Sequence, residues 1–171
     1  MDETAPRRAL AWLAFALLAV VYFSNFYVYD SIGPVADLLQ QQRGFTDMQI
    51  GLLNAIYSLP NVVLILVGGV LVDRYGAARM LLWSTAVCLS GAVLTAFGPD
   101  FTTMATGRLL FGIGAETQNI AMTVAIIDWF AGGRIAFAMG LSLAIGRSGS
   151  FSADMSPAWF AGAYAGGWQP P

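Results

Sequence analysis

The chain has 171 residues, 57% of them hydrophobic and only 11% charged, with a formal net charge of −2 and a mean hydropathy of +0.66. A water-soluble domain carries about 25% charged residues, so this chain lacks the polar surface to stay in water, and its small net charge offers nothing to a nucleic acid. It has no Lys or His and a single cysteine, Cys88, which removes His-based triads, zinc clusters and an internal disulfide; neither an enzyme nor a cofactor is expected.

A short polar tail and Arg7-Arg8 precede an apolar run at 9–29, long enough for the roughly 20 helical residues that cross a hydrocarbon core. No small-x-small cleavage site follows, so the run reads as a retained first span and not as a signal peptide. Its far end holds Tyr22, Phe23, Phe26, Tyr27 and Tyr29, an interfacial aromatic belt or a solute-facing wall. Asp30, Pro34, Asp37 and a Gln-rich stretch form the next connection, after which Thr46 or Asp47 can cap a helix with Gln49 reaching back.

The second span, 50–72, is interrupted by Pro60, which removes one backbone hydrogen bond and bends a helix. Asn54, Ser58 and Asn61 recur at spacings of four and three and therefore share a face. The third span, 80–97, carries almost nothing polar and reads as structural and largely lipid-facing. The fourth, 102–130, holds Arg108, Glu116, Gln118, Asn119 and Asp128, and the fifth, 135–160, holds Arg147 and Asp154. The last residues, from Ala165 to Pro171, look like the start of a sixth span. With the amino terminus cytoplasmic, Arg7, Arg8, Arg74, Arg79 and Arg134 fall inside and Arg43 alone outside, as the positive-inside rule asks.

Between the second and third spans lie Gly69, Asp73, Arg74, Gly76 and Arg79. This cluster resembles the conserved loop between the second and third spans of the major facilitator superfamily, and Arg108, Gly112 and Gly114 match a second pattern of that family. Phe111, Gly112, Gly114, Glu116, Gln118, Trp129, Phe130, Phe137, Gly140, Ser142, Arg147 and Gly149 are similar to the lysosomal dipeptide uniporter-like branch of the superfamily and its bacterial relatives. The resemblance implies an all-α integral membrane bundle, the amino-terminal half of a transporter with twelve spans in two halves. It implies a conformational or gating role for Gly69, Asp73, Arg74, Gly76, Arg79 and Arg108, Arg108 having been linked with proton coupling in relatives. It also places the residues matching Glu116 and Arg147 in a central cavity, holding a peptide's two termini.

Read from the residues alone, the buried charges point the same way. Each costs at least about 2.5–3.5 kcal/mol at a helix centre, so each needs a function or a partner. Glu116 lies about 14 residues into its span, roughly 21 Å, and Arg147 about 13 residues into the next, so both fall in the middle third of the core. They either pair with each other or stand apart and grip the two ends of a zwitterion, Glu116 the ammonium and Arg147 the carboxylate. Asn119, Tyr29 and Asp30 complete the candidate solute contacts, and Asp30 and Asp154 are the titratable candidates for proton coupling.

The expectation is therefore a multi-pass protein of the plasma (inner) membrane, with domains 1–171 forming one incomplete transmembrane bundle. Its partners are the lipid bilayer, a small polar organic solute such as a dipeptide or another zwitterion, and a missing carboxy-terminal half or second chain. Two alternatives stay open: a proton-coupled carrier of organic anions, and a non-transporting membrane subunit or gene fragment.

Overall fold

A computed structural model describes residues 4–130 and 134–165, with side chains from residue 10 onward. The paired Arg7-Arg8 side chains, most of the turn before Arg134 and the expected start of a sixth span therefore lie outside the described residues. The described chain is helical throughout. Helix α1 is Thr4–Asp30, a 3-10 turn spans Gly33–Val35, and α2 is Ala36–Arg43, ended by Gly44 in the left-handed region at φ 68°. Helix α3 (Asp47–Ile56) starts on a capping box: Thr46 accepts from the Gln49 backbone, and the Gln49 side chain accepts from the Thr46 backbone. Helices α4 (Asn61–Tyr75), α5 (Ala77–Phe97), α6 (Phe101–Phe130), α7 (Ile135–Trp159) and the single turn α8 (Ala161–Tyr164) follow.

The stretch expected to bend at Pro60 is broken outright, with residues 57–60 outside any helix between α3 and α4. Proline lacks the donor that would continue the ladder and disfavours helical backbone in the residue before it. Short turn bonds replace the ladder, Ser58 N to Ala55 O at 3.0 Å and Leu59 N to Ile56 O at 3.3 Å. At the other end of α4, Gly76 takes φ 84° and lets α5 begin at the next residue. Asp100 caps α6, its carboxylate accepting from Thr103 N at 2.8 Å. That bond holds its carboxyl below the usual carboxylate range.

Four stretches, Leu10–Arg43, Asp47–Tyr75, Ala77–Phe97 and Phe101–Phe130, are long and apolar enough to cross a membrane among the described residues. Helix α7 has the length, 25 residues, but Arg147, Asp154 and a series of serines break its apolar run and keep it out of that set.

Helix α6 is the hub. It packs along α5 and touches α3, α4, α1 and α7, while α7 packs mainly along α1. The α5 side of the main contact is a stripe of small residues, Ser84, Cys88, Gly91 and Thr95, all buried. The remaining positions of α5 are exposed or partly exposed. Small residues let two backbones approach in lipid, where close packing and not the hydrophobic effect holds helices together. A Cβ on Gly91 would meet the Phe111 backbone, and one on Gly114 would come within 2.7 Å of Cys88 N.

Apolar clusters close the bundle at both ends. Ile32, Val35, Leu39, Ile50, Leu53 and Met104 gather at one, and Ala11, Phe15, Ile126, Phe130 and Ala138 at the other. The polar side chains of the helices meet between them.

Candidate functional site

Glu116 is partly buried on α6, and its Oε1 accepts a hydrogen bond of 3.1 Å from Asn61 Nδ2. Asn61 is the first residue of α4, so the break at 57–60 sets the positive end of a helix dipole beside a carboxylate. The other two members of the expected polar face do not follow it. The break interrupts the helical register: Ser58 is exposed with its hydroxyl on Ala55 O, and Asn54 lies in the preceding helix.

Arg147 is exposed on α7, its guanidinium 5.5 Å from the centre of the Phe26 ring on α1. With Asn61 on one charge and Phe26 under the other, Glu116 and Arg147 do not pair with each other. Adjacent residues of α1 relate their depths. Asn25 bonds Gln118, two positions beyond Glu116, while Phe26 lies against Arg147 and Gly146. The two charges thus stand at similar depth on two helices that touch each other only slightly.

Arg108 is fully buried and does something that its place in a family pattern does not suggest. Its Nη1 donates to Val28 O at 2.9 Å, Nη2 to Tyr29 O at 2.7 Å and Nε to Leu53 O at 3.1 Å. Those carbonyls belong to the last turns of α1 and α3, where helix ends leave acceptors without donors. One guanidinium therefore caps two helices, with its charge at two negative dipole ends. Its planar fork also lies 5.0 Å from the Tyr57 ring centre.

Tyr29 belongs to this joint. Its carbonyl meets Arg108, and its ring stands edge-on to Tyr57 at 4.1 Å. Asp30 is the last residue of α1, and Asn119 lies partly buried three positions beyond Glu116. The structure thus brings Glu116 and Asn61 together at the α4–α6 contact, with Asn119 further along α6 and Arg147 on α7. Tyr29 and Asp30 sit apart, with Arg108.

The aromatic residues of α1 also depart from a plain interfacial belt. A Cβ on Gly146 would lie 2.9 Å from both Tyr22 and Phe26, and one on Gly149 would collide with the Phe23 carbonyl. The Tyr22 and Phe26 rings pack α1 against α7 at Gly146, and the α1 backbone itself meets α7 at Gly149. At the α4–α5 turn Asp73, Arg74 and Arg79 are all exposed, with Arg74 5.6 Å from the Tyr75 ring centre. Gly69 has open space where a Cβ would stand, whereas its neighbour Gly68 faces Ile120 at 2.5 Å.

Sequence reasoning missed a hydrogen-bonded chain across three helices, buried at Asn25 and Gln118 and ending on the exposed Thr85. Asn25 Nδ2 donates to Gln118 Oε1 at 2.7 Å, Gln118 Nε2 to Thr85 Oγ1 at 2.7 Å, and Thr85 to Leu81 O at 2.7 Å. The available signal was an amide inside an apolar run, since a polar side chain in a span faces protein or water.

Comparison with known proteins adds the remaining facts. The model of the family described as Major Facilitator Superfamily matches residues 18–171. The lysosomal dipeptide transporter MFSD1 of Mus musculus is 36% identical over 154 residues, 84% of this chain and 32% of that protein. The probable sulfoacetate transporter of Cupriavidus necator is 24% identical over 133 residues, 78% of this chain and 31% of that protein. The hexuronate transporter of Bacillus subtilis is 30% identical over 111 residues, 62% of this chain and 25% of that protein. The chain spans about a third of the length of the lysosomal dipeptide transporter relatives it matches.

Proposed function

Because the chain belongs to the major facilitator superfamily, we propose that it forms the amino-terminal part of a secondary carrier for a small zwitterionic solute, a dipeptide or its like. Alternating access between two halves around a midplane site moves the solute, and α7 is the fifth span. The arginine asymmetry supports a cytoplasmic amino terminus in a plasma (inner) membrane. A cysteine at the exposed Ala78 then reacts only from the cytoplasm and one at Gln41 only from outside.

The observation that carries the reading is the separation of Glu116 and Arg147. A buried ion pair would satisfy itself; two opposite charges at matching depth, engaged only by an amide and a ring, are available to a ligand with both charges. In the complete transporter, Glu116→Gln removes the carboxylate that grips the ammonium and lowers affinity for free dipeptides about tenfold to a hundredfold. The same variant leaves binding of amino-acetylated dipeptides nearly unchanged. Equal losses for free and acetylated ligands overturn the assignment. Arg147→Lys keeps the charge but loses the planar fork, and weakens carboxylate binding.

A second reading has its own support. Among the described residues no carboxylate lies against the Arg147 cation, and two relatives, in Cupriavidus and Bacillus, are named as carriers of acidic solutes. A proton-coupled organic-anion carrier uses Arg147 as its anion ligand, with Asp30 and Asp154 as candidate proton sites. Uptake that tracks a pH gradient and ignores Glu116→Gln selects it.

A further inference from the structure

Among the described residues two side-chain atoms are buried with no hydrogen-bond partner, Asn61 Oδ1 and Ser150 Oγ. Neither position is arbitrary. Asn61 is the residue that already holds Glu116, and Ser150 follows Arg147 by three positions, a neighbour on the helix surface.

Each orphan has a chemical sense. An ionised carboxylate only accepts hydrogen bonds, so Asn61 must turn its NH2 towards Glu116 and leave its carbonyl oxygen without a donor. The missing group is a donor. On α7 the other serines satisfy themselves on their own helix: Ser142 bonds Ala138 O at 2.8 Å, Ser148 Ile145 O at 2.7 Å, Ser152 Ser148 O at 2.7 Å and Ser156 Ala153 O at 2.8 Å. Ser150 alone among them leaves its hydroxyl unused, and a hydroxyl beside a guanidinium is a donor for a carboxylate.

We propose that Asn61 and Ser150 are specificity residues of the same site, Asn61 receiving the solute's ammonium together with Glu116, and Ser150 donating to its carboxylate beside Arg147. This inference rests on the zwitterion reading above. In the unliganded chain the Asn61 amide stands where the ammonium belongs, giving Glu116 an N–H donor. An arriving ammonium replaces that donor, and its remaining N–H groups call for a second acceptor. A half-turn of the amide brings Oδ1 to it, about a torsion that is broad and two-fold in an Asn side chain. At the other end Arg147 supplies two parallel N–H donors to a carboxylate, which retains lone pairs for a hydroxyl. The pair of orphans thereby becomes the pair of bonds that distinguishes a zwitterion from a solute with one charge.

Binding of alanyl-alanine, its amino-acetylated form and its carboxy-amide to the complete transporter tests this, with the single variants Asn61→Ala and Ser150→Ala. Asn61→Ala weakens alanyl-alanine and the amide about tenfold and leaves the acetylated form unchanged; Ser150→Ala weakens alanyl-alanine and the acetylated form by a similar factor and spares the amide. Asn61→Asp keeps an acceptor and restores discrimination at the amino end, which a merely structural asparagine does not do. Uniform losses across the three ligands, or none, overturn the inference. If Glu116→Gln weakens only the ligands with a free amino end while Asn61→Ala weakens all three alike, the clamp stands and Asn61 falls. If Glu116→Gln also weakens all three alike, the zwitterion reading itself falls.

Discussion

The two main helix pairs of this bundle are built on different principles. Helices α5 and α6 meet backbone to backbone over small residues, Ser84, Cys88, Gly91 and Thr95 facing Gly107, Phe111 and Gly114. Helices α1 and α7 meet in a mixed way, the Tyr22 and Phe26 rings lying over Gly146 and the Phe23 backbone lying against Gly149. The first contact has no depth to yield, because closely packed backbones have one register. The second is close-packed at Gly149 and elsewhere, around Gly146, a layer of aromatic side chains with rotamers of their own. Two polar devices bolt the pairs together: Arg108, from α6 to the end of α1, and the Asn25–Gln118 bond. The charges proposed to receive the solute divide the same way, Glu116 on the close-packed side and Arg147 on the aromatic side.

Removing the stronger bolt has the largest expected effect. Arg108→Leu takes the side-chain donor from the carbonyls of Tyr29 and Leu53, while Val28 O keeps the Ser31 hydroxyl at 2.7 Å, and losing one partner of a buried charged network costs about 3–5 kcal/mol. Thermal unfolding of the chain in nanodiscs should show that loss, and Arg108→Lys should recover little of it because one ammonium cannot reach two helix ends as a fork does. A melting curve unmoved by Arg108→Leu breaks the picture of a joint and returns Arg108 to a purely functional role.

Arg108 also marks where the sequence was legible and where it was not. Its burial followed from a charge inside an apolar run, but its partners lie 55 to 80 residues away, and no local pattern names them. Local features read well for the converse reason. The Thr46–Gln49 capping box closes within three positions, and the turn at Gly76 needs only its own dihedrals. Pro60 was visible, yet whether a proline bends or breaks a helix depends on what fills the gap. Here Gly112 admits the Tyr57 carbonyl, and Arg108 takes up the Leu53 carbonyl. Glu116 and Arg147 were legible as unusual charges, while Asn61 as the partner of Glu116 and the Asn25–Gln118–Thr85 chain required the fold.

The close-packed side predicts the next effect. Gly91→Ala places a methyl group on the Phe111 backbone, where overpacking costs about 1–3 kcal/mol. Gly140→Ala on α7 meets nothing within 4 Å and should be neutral or stabilising by up to about 1 kcal/mol, the helix propensity gain over glycine. Measured together by thermal unfolding, the pair separates packing from propensity. Similar shifts for both would show that Gly91 is not held by close packing against α6.

The weaker bolt comes next. Gln118→Leu leaves the Asn25 amide without its partner, at about 1–3 kcal/mol, while the Thr85 hydroxyl keeps its bond to Leu81 O. Adding Asn25→Leu should return part of that loss, because removing both members of a buried hydrogen bond is milder than removing one. A double variant less stable than the worse single would show that Asn25 and Gln118 act independently and that the bond does not join the pairs.

The smallest effect belongs to Asp100, at the turn that starts the close-packed pair and outside the membrane-spanning stretches. Its carboxylate accepts from Thr103 N, and that backbone bond holds its carboxyl below the ordinary carboxylate range. A carboxyl depressed in the folded state adds stability above its unfolded value, and that stability is lost as pH falls through the folded value. The cap should therefore be fully present at neutral pH and weaken only in acid, below the ordinary carboxylate range. The side chain is exposed, so salt and solvent screen the charge and the change is slight. Asp100→Asn keeps an oxygen for Thr103 N and should abolish the acid dependence while leaving neutral-pH stability almost untouched. Asp100→Ala should lose both. An acid-induced drop in melting temperature that persists unchanged in Asp100→Asn would assign it to another carboxylate and leave the α6 cap a neutral one.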